Sequence, residues 1–216
     1  MRLFSTAVIA AFALLPLACT AASDDPFKLD THYKTVRVPQ PPETAGRISV
    51  EEAFWYGCPH CYSFDPYVES WLKKKPPNVD FVRIPATLGH EANLIHSKAY
   101  YAAQTMGVGD LTHKPLFKAI HENKQPMNTM KTLVPFLATA GGFSAEEFSG
   151  AMDSFIVDGE VRRAENRLRD YGVSSVPMVV VGGRYYTNGT LAGGFDRVFK
   201  VVDFLIEKVR RERAGK

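Results

Sequence analysis

Glu52-Ala53-Phe54-Trp55-Tyr56-Gly57-Cys58-Pro59-His60-Cys61-Tyr62-Ser63-Phe64-Asp65 is the stretch on which the reading of this chain turns. The apolar run from Ala53 to Tyr56 leads straight into Cys58-Pro59-His60-Cys61. Cysteines at this spacing fit on one helical turn and close into a small, exchangeable disulfide. Exchange needs an accessible sulfur that leaves as a thiolate. The unsatisfied N–H groups and the positive dipole end at a helix start both favour a negative sulfur. A strand entering C-x-x-C and then a helix is therefore read as a redox site. Pro59 suits the first helical position, where its missing N–H costs nothing, and it fixes the turn between the sulfurs. His60 favours a thiolate on Cys58 through a hydrogen bond or positive charge.

The binding-module alternative is a metal carrier using Cys58, His60 and Cys61. A zinc site would need two more ligands at paired spacing. The chain has three cysteines, and the third, Cys19, lies in the N-terminal export segment. His90, His96, His113 and His121 show no matched pair spacing. The order C-P-H-C also differs from the C-x-x-C-H of haem attachment.

The N-terminus says where the chemistry takes place. Arg2, an apolar stretch from about Ala7 to Leu17, and the small residues Ala18 to Ala22 form the three regions of a secretory signal. The apolar stretch is shorter than the roughly 20 residues a spanning helix needs. Residues 1–22 are read as a signal peptide cleaved after Ala22. The competing reading makes Cys19 a lipid-bearing residue, but Pro16 stands where such signals usually carry Leu. Disulfides persist outside the reducing cytosol. With Cys19 removed, Cys58 and Cys61 remain as the mature chain's cysteines, a working pair rather than a staple.

Cleavage leaves about 190 residues, enough for one generous domain or a domain with an insertion. The chain is 45% hydrophobic and 12% aromatic, sufficient for a real core. Its net charge of +3 becomes +2 without Arg2, which gives no case for nucleic acid. The basic run Arg210-Arg211-Glu212-Arg213 is read as a solvated helix end.

Residues 23 to about 47 are Pro-rich, including Pro39-Gln40-Pro41-Pro42, and are expected to be an extended lead-in. Ile48 to Tyr56 reads as a buried central strand. A helix through Phe64, Val68, Trp71 and Leu72 should stop before Pro76-Pro77. Val79 to Ile84 then completes a β-α-β start. Helices follow over Ala92–Met106, Lys114–Glu122 and Thr129–Ala140, and another opens at the capping box Ser144-Ala145-Glu146-Glu147. So many consecutive helices do not belong in an alternating sheet, and they are assigned to a separate subdomain. A charged helix over Arg162–Tyr171 leads to Val173-Ser174-Ser175-Val176-Pro177-Met178-Val179-Val180-Val181, a strand with a proline at its start. Gly182-Gly183 turns it into a hairpin through Arg184-Tyr185-Tyr186. An amphipathic helix through Phe195, Val198, Val202, Leu205 and Val209 ends the chain.

Taken together, these residues resemble the periplasmic thiol:disulfide interchange proteins of the DsbA type. The quoted stretch is similar to that family's active-site segment almost throughout, and Val176-Pro177 to its proline dipeptide. The resemblance runs from about Tyr33 to Lys208. It implies an α/β thioredoxin-like fold with an inserted all-helical subdomain. The thioredoxin-like part would comprise residues 23–88 and 163–216, and the helical insertion residues 89–162. It implies a cis Pro177 that faces the sulfurs and, with Val176, offers a backbone edge to substrate. Glu52 matches the family's buried acid, which relays a proton for Cys61. Glu51, its alternation partner, is read as facing solvent. The implied activity is that of an oxidase, with the cysteine pair and no cofactor donating a disulfide to unfolded exported proteins. A DsbB-type, quinone-linked membrane protein would restore the disulfide. The expected state is a monomer in the periplasm. A disulfide reductase or isomerase would share the fold, although isomerases usually add a dimerisation domain.

Overall fold

The computed structural model describes residues 25–41 and 44–215. The expected signal peptide, Cys19 and Pro42 lie outside them. No helix among the described residues is long and apolar enough to cross a membrane.

Five strands form one sheet in the order β1-β5-β4-β2-β3. Inside it, between β4 and the edge strand β3, lies β2 (Ile48–Phe54), whose seven residues are all buried. On one side β2 pairs in parallel with β3 (Val79–Pro85), with Glu52 opposite Arg83. On the other it pairs antiparallel with β4 (Met178–Val181), with Glu52 opposite Val179. The parallel pair is joined by α1 (Pro59–Leu72), as a β-α-β crossover requires. Gly182 and Gly183, at φ of 60° and 66°, turn β4 into β5 (Tyr185–Thr187). These are the left-handed conformations that a tight hairpin turn needs. The Pro-rich lead-in does more than extend: it supplies an edge strand, β1 (Lys34–Thr35), antiparallel to β5.

Between β3 and β4 the chain is helical. A short 3-10 turn, Glu91–Asn93, opens onto α2 (Leu94–Thr105). Then come α3 (Gly109–His121), α4 (Met130–Gly141), α5 (Ala145–Met152) and α6 (Phe155–Tyr171). The capping box is present: Ser144 and Glu147 each satisfy the other's backbone N–H. Two helices begin earlier than the sequence suggested. The third starts at Gly109 rather than Lys114, and α6 starts at Phe155, capped by the Ser154 hydroxyl, rather than at Arg162. Consequently α6 runs unbroken through residues 162 and 163, and residues 172–177 carry the chain from its end into β4. The chain closes with a single turn, α7 (Gly189–Ala192), and α8 (Phe195–Arg213).

Strand alternation sends Val50 to the face covered by α1 and α8. There Phe64, Val68, Trp71, Val202 and Leu205 complete a core. Trp71 stacks on Phe199 at 4.9 Å and gives its indole N–H to Asp203. A second core fills the helical region, with Leu116, Leu133, Phe148 and Met152 packed around Phe54 and Tyr56. Cys58 and Cys61 belong to this second cluster. The dithiol thus sits where the sheet's layer meets the insert.

The expectation for Glu51 fails. It points to the opposite face of the sheet but is only 1% exposed, because α6 covers that face. Arg167 and the Tyr171 hydroxyl bind its carboxylate at 2.7–2.9 Å. A buried carboxylate needs such partners.

Candidate active site

Residues 55–58 form a turn that converts β2 into α1. Cys58 N–H closes it on the Trp55 carbonyl at 3.0 Å. Only glycine fits the third position, since a Cβ on Gly57 would lie 2.3 Å from the Trp55 ring. Cys58 is the N-cap of α1 and Pro59 its first residue. Both cysteines are free thiols and both are buried.

Their environments differ sharply. Cys58 is pulled down to about 6, first by a hydrogen bond from Cys61, then, against burial, by the N–H groups of Cys61 and His60 and by the His60 charge. Burial pushes the Cys61 thiol far up, and donating to Cys58 raises it further. One sulfur is thus prepared to be a thiolate and the other to stay protonated.

Val176 and Pro177 come to the same place from across the insert. Their peptide bond is cis, and the Cys58 thiol donates to the Val176 carbonyl at 3.6 Å. With the exposed His60, they line one side of an open cavity of about 410 Å³, which Asn188, Thr190 and Phe195 face from the other. Of the expected site residues, His60, Val176 and Pro177 line this cavity, Cys58 reaches it through its contact with Val176, and Cys61 is fully buried behind Cys58.

Glu52 lies behind this opening rather than in it. Burial raises its carboxyl to about 7 despite Arg83 beside it, and its charge is among the influences that raise Cys61. Arg83 Nε approaches Glu52 at 3.3 Å, close but without hydrogen-bond alignment. The same guanidinium holds Asp65 at 3.1 Å and Glu69 at 3.0 Å. Burial pushes Asp65 up, yet His113, Arg83 and Lys114 together hold it below the ordinary carboxylate range.

The sequence reading missed this charged cluster, and with it three histidines. Buried His113 meets the ionised Asp65 through Nε2 at 3.3 Å, so its Nδ1 accepts from the Tyr56 hydroxyl at 2.9 Å. Buried His96 accepts the Trp55 indole N–H on Nδ1 and gives Nε2–H to the Met127 carbonyl. Desolvation lowers both imidazoles, which keeps them neutral. His121 donates Nε2–H to the Tyr56 carbonyl at 2.7 Å. A cation inside the strand Val79–Ile84 was the available signal for Arg83. The histidines follow no local spacing, because α2 and α3 bring them in from the insert. Among the described residues no group of three or more His, Cys, Asp or Glu is arranged to hold a metal ion.

Comparison with known proteins gives one consistent result. A family model described as a DSBA-like thioredoxin domain matches residues 49–205. A thiol:disulfide interchange protein DsbA from Burkholderia cepacia is 38% identical over 182 residues, covering 84% of this chain and 85% of its own. The Pseudomonas aeruginosa protein of the same name is 36% identical over 209 residues, 97% of each chain. The crystal structure of Pseudomonas aeruginosa DsbA superposes with a TM-score of 0.82 at 36% identity, covering 89% of this chain and 99% of that one. The oxidoreductase DsbA from Xylella fastidiosa superposes with a TM-score of 0.76 at 28% identity, covering 83% and 95%.

Proposed function

This chain belongs to the DSBA-like thioredoxin family and is a thiol:disulfide oxidoreductase, and from that premise we propose that it works as an oxidase, donating the Cys58–Cys61 disulfide to unfolded exported proteins. The observation that carries the direction is the contrast between the two thiols: Cys58 is lowered to about 6 while burial raises Cys61. Stabilising a thiolate in the reduced form makes a couple a better oxidant, and a low-pKa thiol is the better leaving group.

In this reading a substrate thiolate attacks Cys58 Sγ. The Cys58–Cys61 bond breaks, and Cys61 leaves with the electron pair and takes a proton. Glu52, with its pKa raised to about 7, relays that proton. A second substrate thiolate attacks the substrate sulfur of the mixed disulfide, and Cys58 departs as a thiolate. The substrate has then lost two electrons and the protein has gained them. His60 and the helix start stabilise the departing sulfur, and Pro59 sets its geometry. Val176 and Pro177 present the backbone edge along which an extended substrate segment pairs like an added strand.

Working repeatedly in this direction requires reoxidation, for which we assign a DsbB-type, quinone-linked membrane partner. We place the protein in the periplasm as a monomer, released by cleavage after Ala22 or, in the competing arrangement, held by lipid on Cys19. No cofactor enters the cycle.

The deciding experiment is the reduction potential of the couple, equilibrated against glutathione. A value of about −120 mV, the level of strongly oxidising DsbA-type couples, supports disulfide donation. A value of about −270 mV, thioredoxin's level, would make the protein a reductant and end the oxidase reading.

A further inference from the structure

The turn at residues 55–58 contains one peptide that its own closing bond does not restrain. Cys58 N–H binds the Trp55 carbonyl, so the central peptide, between Tyr56 and Gly57, takes no part. In four-residue turns that peptide has two orientations related by a flip, and the flipped one puts the third residue at positive φ. Glycine adopts positive φ at no steric cost. The third residue here is Gly57, which sterics with Trp55 require to be glycine. It lies outside the positive-φ region in the structure. The residue that packing demands is therefore also the one that makes a flip cheap, and the flip would occur one residue before Cys58.

His121, the last residue of α3, acts on this peptide. Its Nε2–H donates to the Tyr56 carbonyl at 2.7 Å. Its ring also stacks on Tyr62 with centroids 4.9 Å apart and planes 12° from parallel. Tyr62 directly follows Cys61, and its hydroxyl binds Glu122, the residue after His121. One corner of the insert therefore grips the chain on both sides of the dithiol. His96 and His113 hold the side chains of Trp55 and Tyr56 instead, and leave that peptide free to turn.

We propose that His121 is a positioning residue for the dithiol: its Nε2–H pins the Tyr56–Gly57 peptide in one orientation and so sets Cys58 against the N–H groups of His60 and Cys61. His121 acts through the backbone rather than on the sulfurs. The inference rests on Cys58 being the reacting sulfur, but not on the direction of electron flow.

The test uses the reduced full-length mature protein and two variants. His121→Gln keeps an N–H donor, whereas His121→Phe keeps a flat ring against Tyr62 and loses the donor. The readouts are the Cys58 titration, followed by ultraviolet thiolate absorbance, and the rate of alkylation against pH, with thermal unfolding recorded alongside. The Phe variant should titrate about one unit higher and react about fivefold more slowly near pH 6, in step with its thiolate fraction. The Gln variant should stay within about twofold of the parent, the behaviour of a conserved donor. A Phe variant that titrates like the parent, or a Gln variant displaced as far as Phe, overturns the proposal. Nitrogen NMR of the unaltered protein adds a readout independent of folding. It must find His121 carrying its proton on Nε2, and the Nδ1–H tautomer refutes the proposal whatever the variants do. Because these measurements read the protein alone, a failure to oxidise substrates would sink the oxidase reading and leave this result standing.

Discussion

At Cys58 the strongest downward pull is the hydrogen bond from Cys61, ahead of the helix N–H groups and the His60 charge. Replacing Cys61 should therefore reset the reactive thiol more than replacing His60 does. In Cys61→Ala, alkylation rate against pH should show a Cys58 midpoint well above the parent's value of about 6. Cys61→Ser, which keeps a hydroxyl donor, should rise less, and His60→Ala least of the single-donor losses. Equal midpoints in the Ala and Ser variants would refute this ordering. Glu52 gives a prediction of opposite sign. Its folded pKa is raised to about 7 by burial, so the protonated form is the one the fold favours. Its contribution is complete below the ordinary carboxylate range and is lost as pH rises through about 7. Glu52→Gln should thus gain stability over the parent in denaturant melts above pH 7, by on the order of a few kcal/mol, with little difference near pH 5. Of this residue-scale picture, the C-x-x-C pair and its proline were legible directly, since their spacing is local. Glu52 was legible through resemblance. Glu51 misled, because alternation tells which face a side chain takes but not whether a helix covers that face.

Among the elements, β2, β3 and α1 are tied by one cation. The register sets Glu52 opposite Arg83, and α1 brings Asp65 and Glu69 to the same guanidinium. Removing one partner of a buried ionic group leaves charges without compensation, at a cost of about 3–5 kcal/mol. Arg83→Leu should lose about that much near pH 8 and recover part of it near pH 5, as protonation relieves the stranded carboxylates. Urea melts at the two pH values check it, and a loss independent of pH would mean that packing, not charge, is responsible. Apolar periodicity sufficed for the β-α-β start, the hairpin and α8, whose core faces are continuous. It missed β1, because a two-residue strand has no period to read. It placed α3 and α6 too late because their first turns show no clean apolar stripe: α3 opens with Gly109, Asp110 and an exposed Leu111, and α6 opens with Phe155 and Ile156 turned to solvent.

The whole molecule carries two pH-dependent stability terms of the same sign. His96 and His113 are buried neutral, with pKa values below the ordinary histidine value. Their stabilising effect is complete above about pH 6.5 and erodes as protons bind the unfolded chain below it. Cys58 adds a term confined to the reduced protein. Lowered from 9.0 to about 6, it is fully effective above pH 9 and lost as pH falls through about 6. The stability advantage of the reduced over the disulfide form should therefore widen between pH 6 and 9. Paired thermal melts of the two forms measure it, and a gap constant with pH would refute the thiolate's part. The insert's place in the chain has a different consequence, one of timing. Strand β2 needs neighbours on both sides, but β4 is made late: Cys58 and the Val176 carbonyl that faces it are 118 positions apart. A ribosome adding about 5–20 residues per second takes on the order of ten seconds to cross that gap. During that interval the nascent chain already carries its thiols, while one edge of β2 stays open and the wall that will face Cys58 has not been synthesised. Helices built on local contacts fold early, and this insert packs around Phe54 and Tyr56. The insert that packs around Phe54 and Tyr56 is thus complete in sequence before the strand that closes the sheet beside β2.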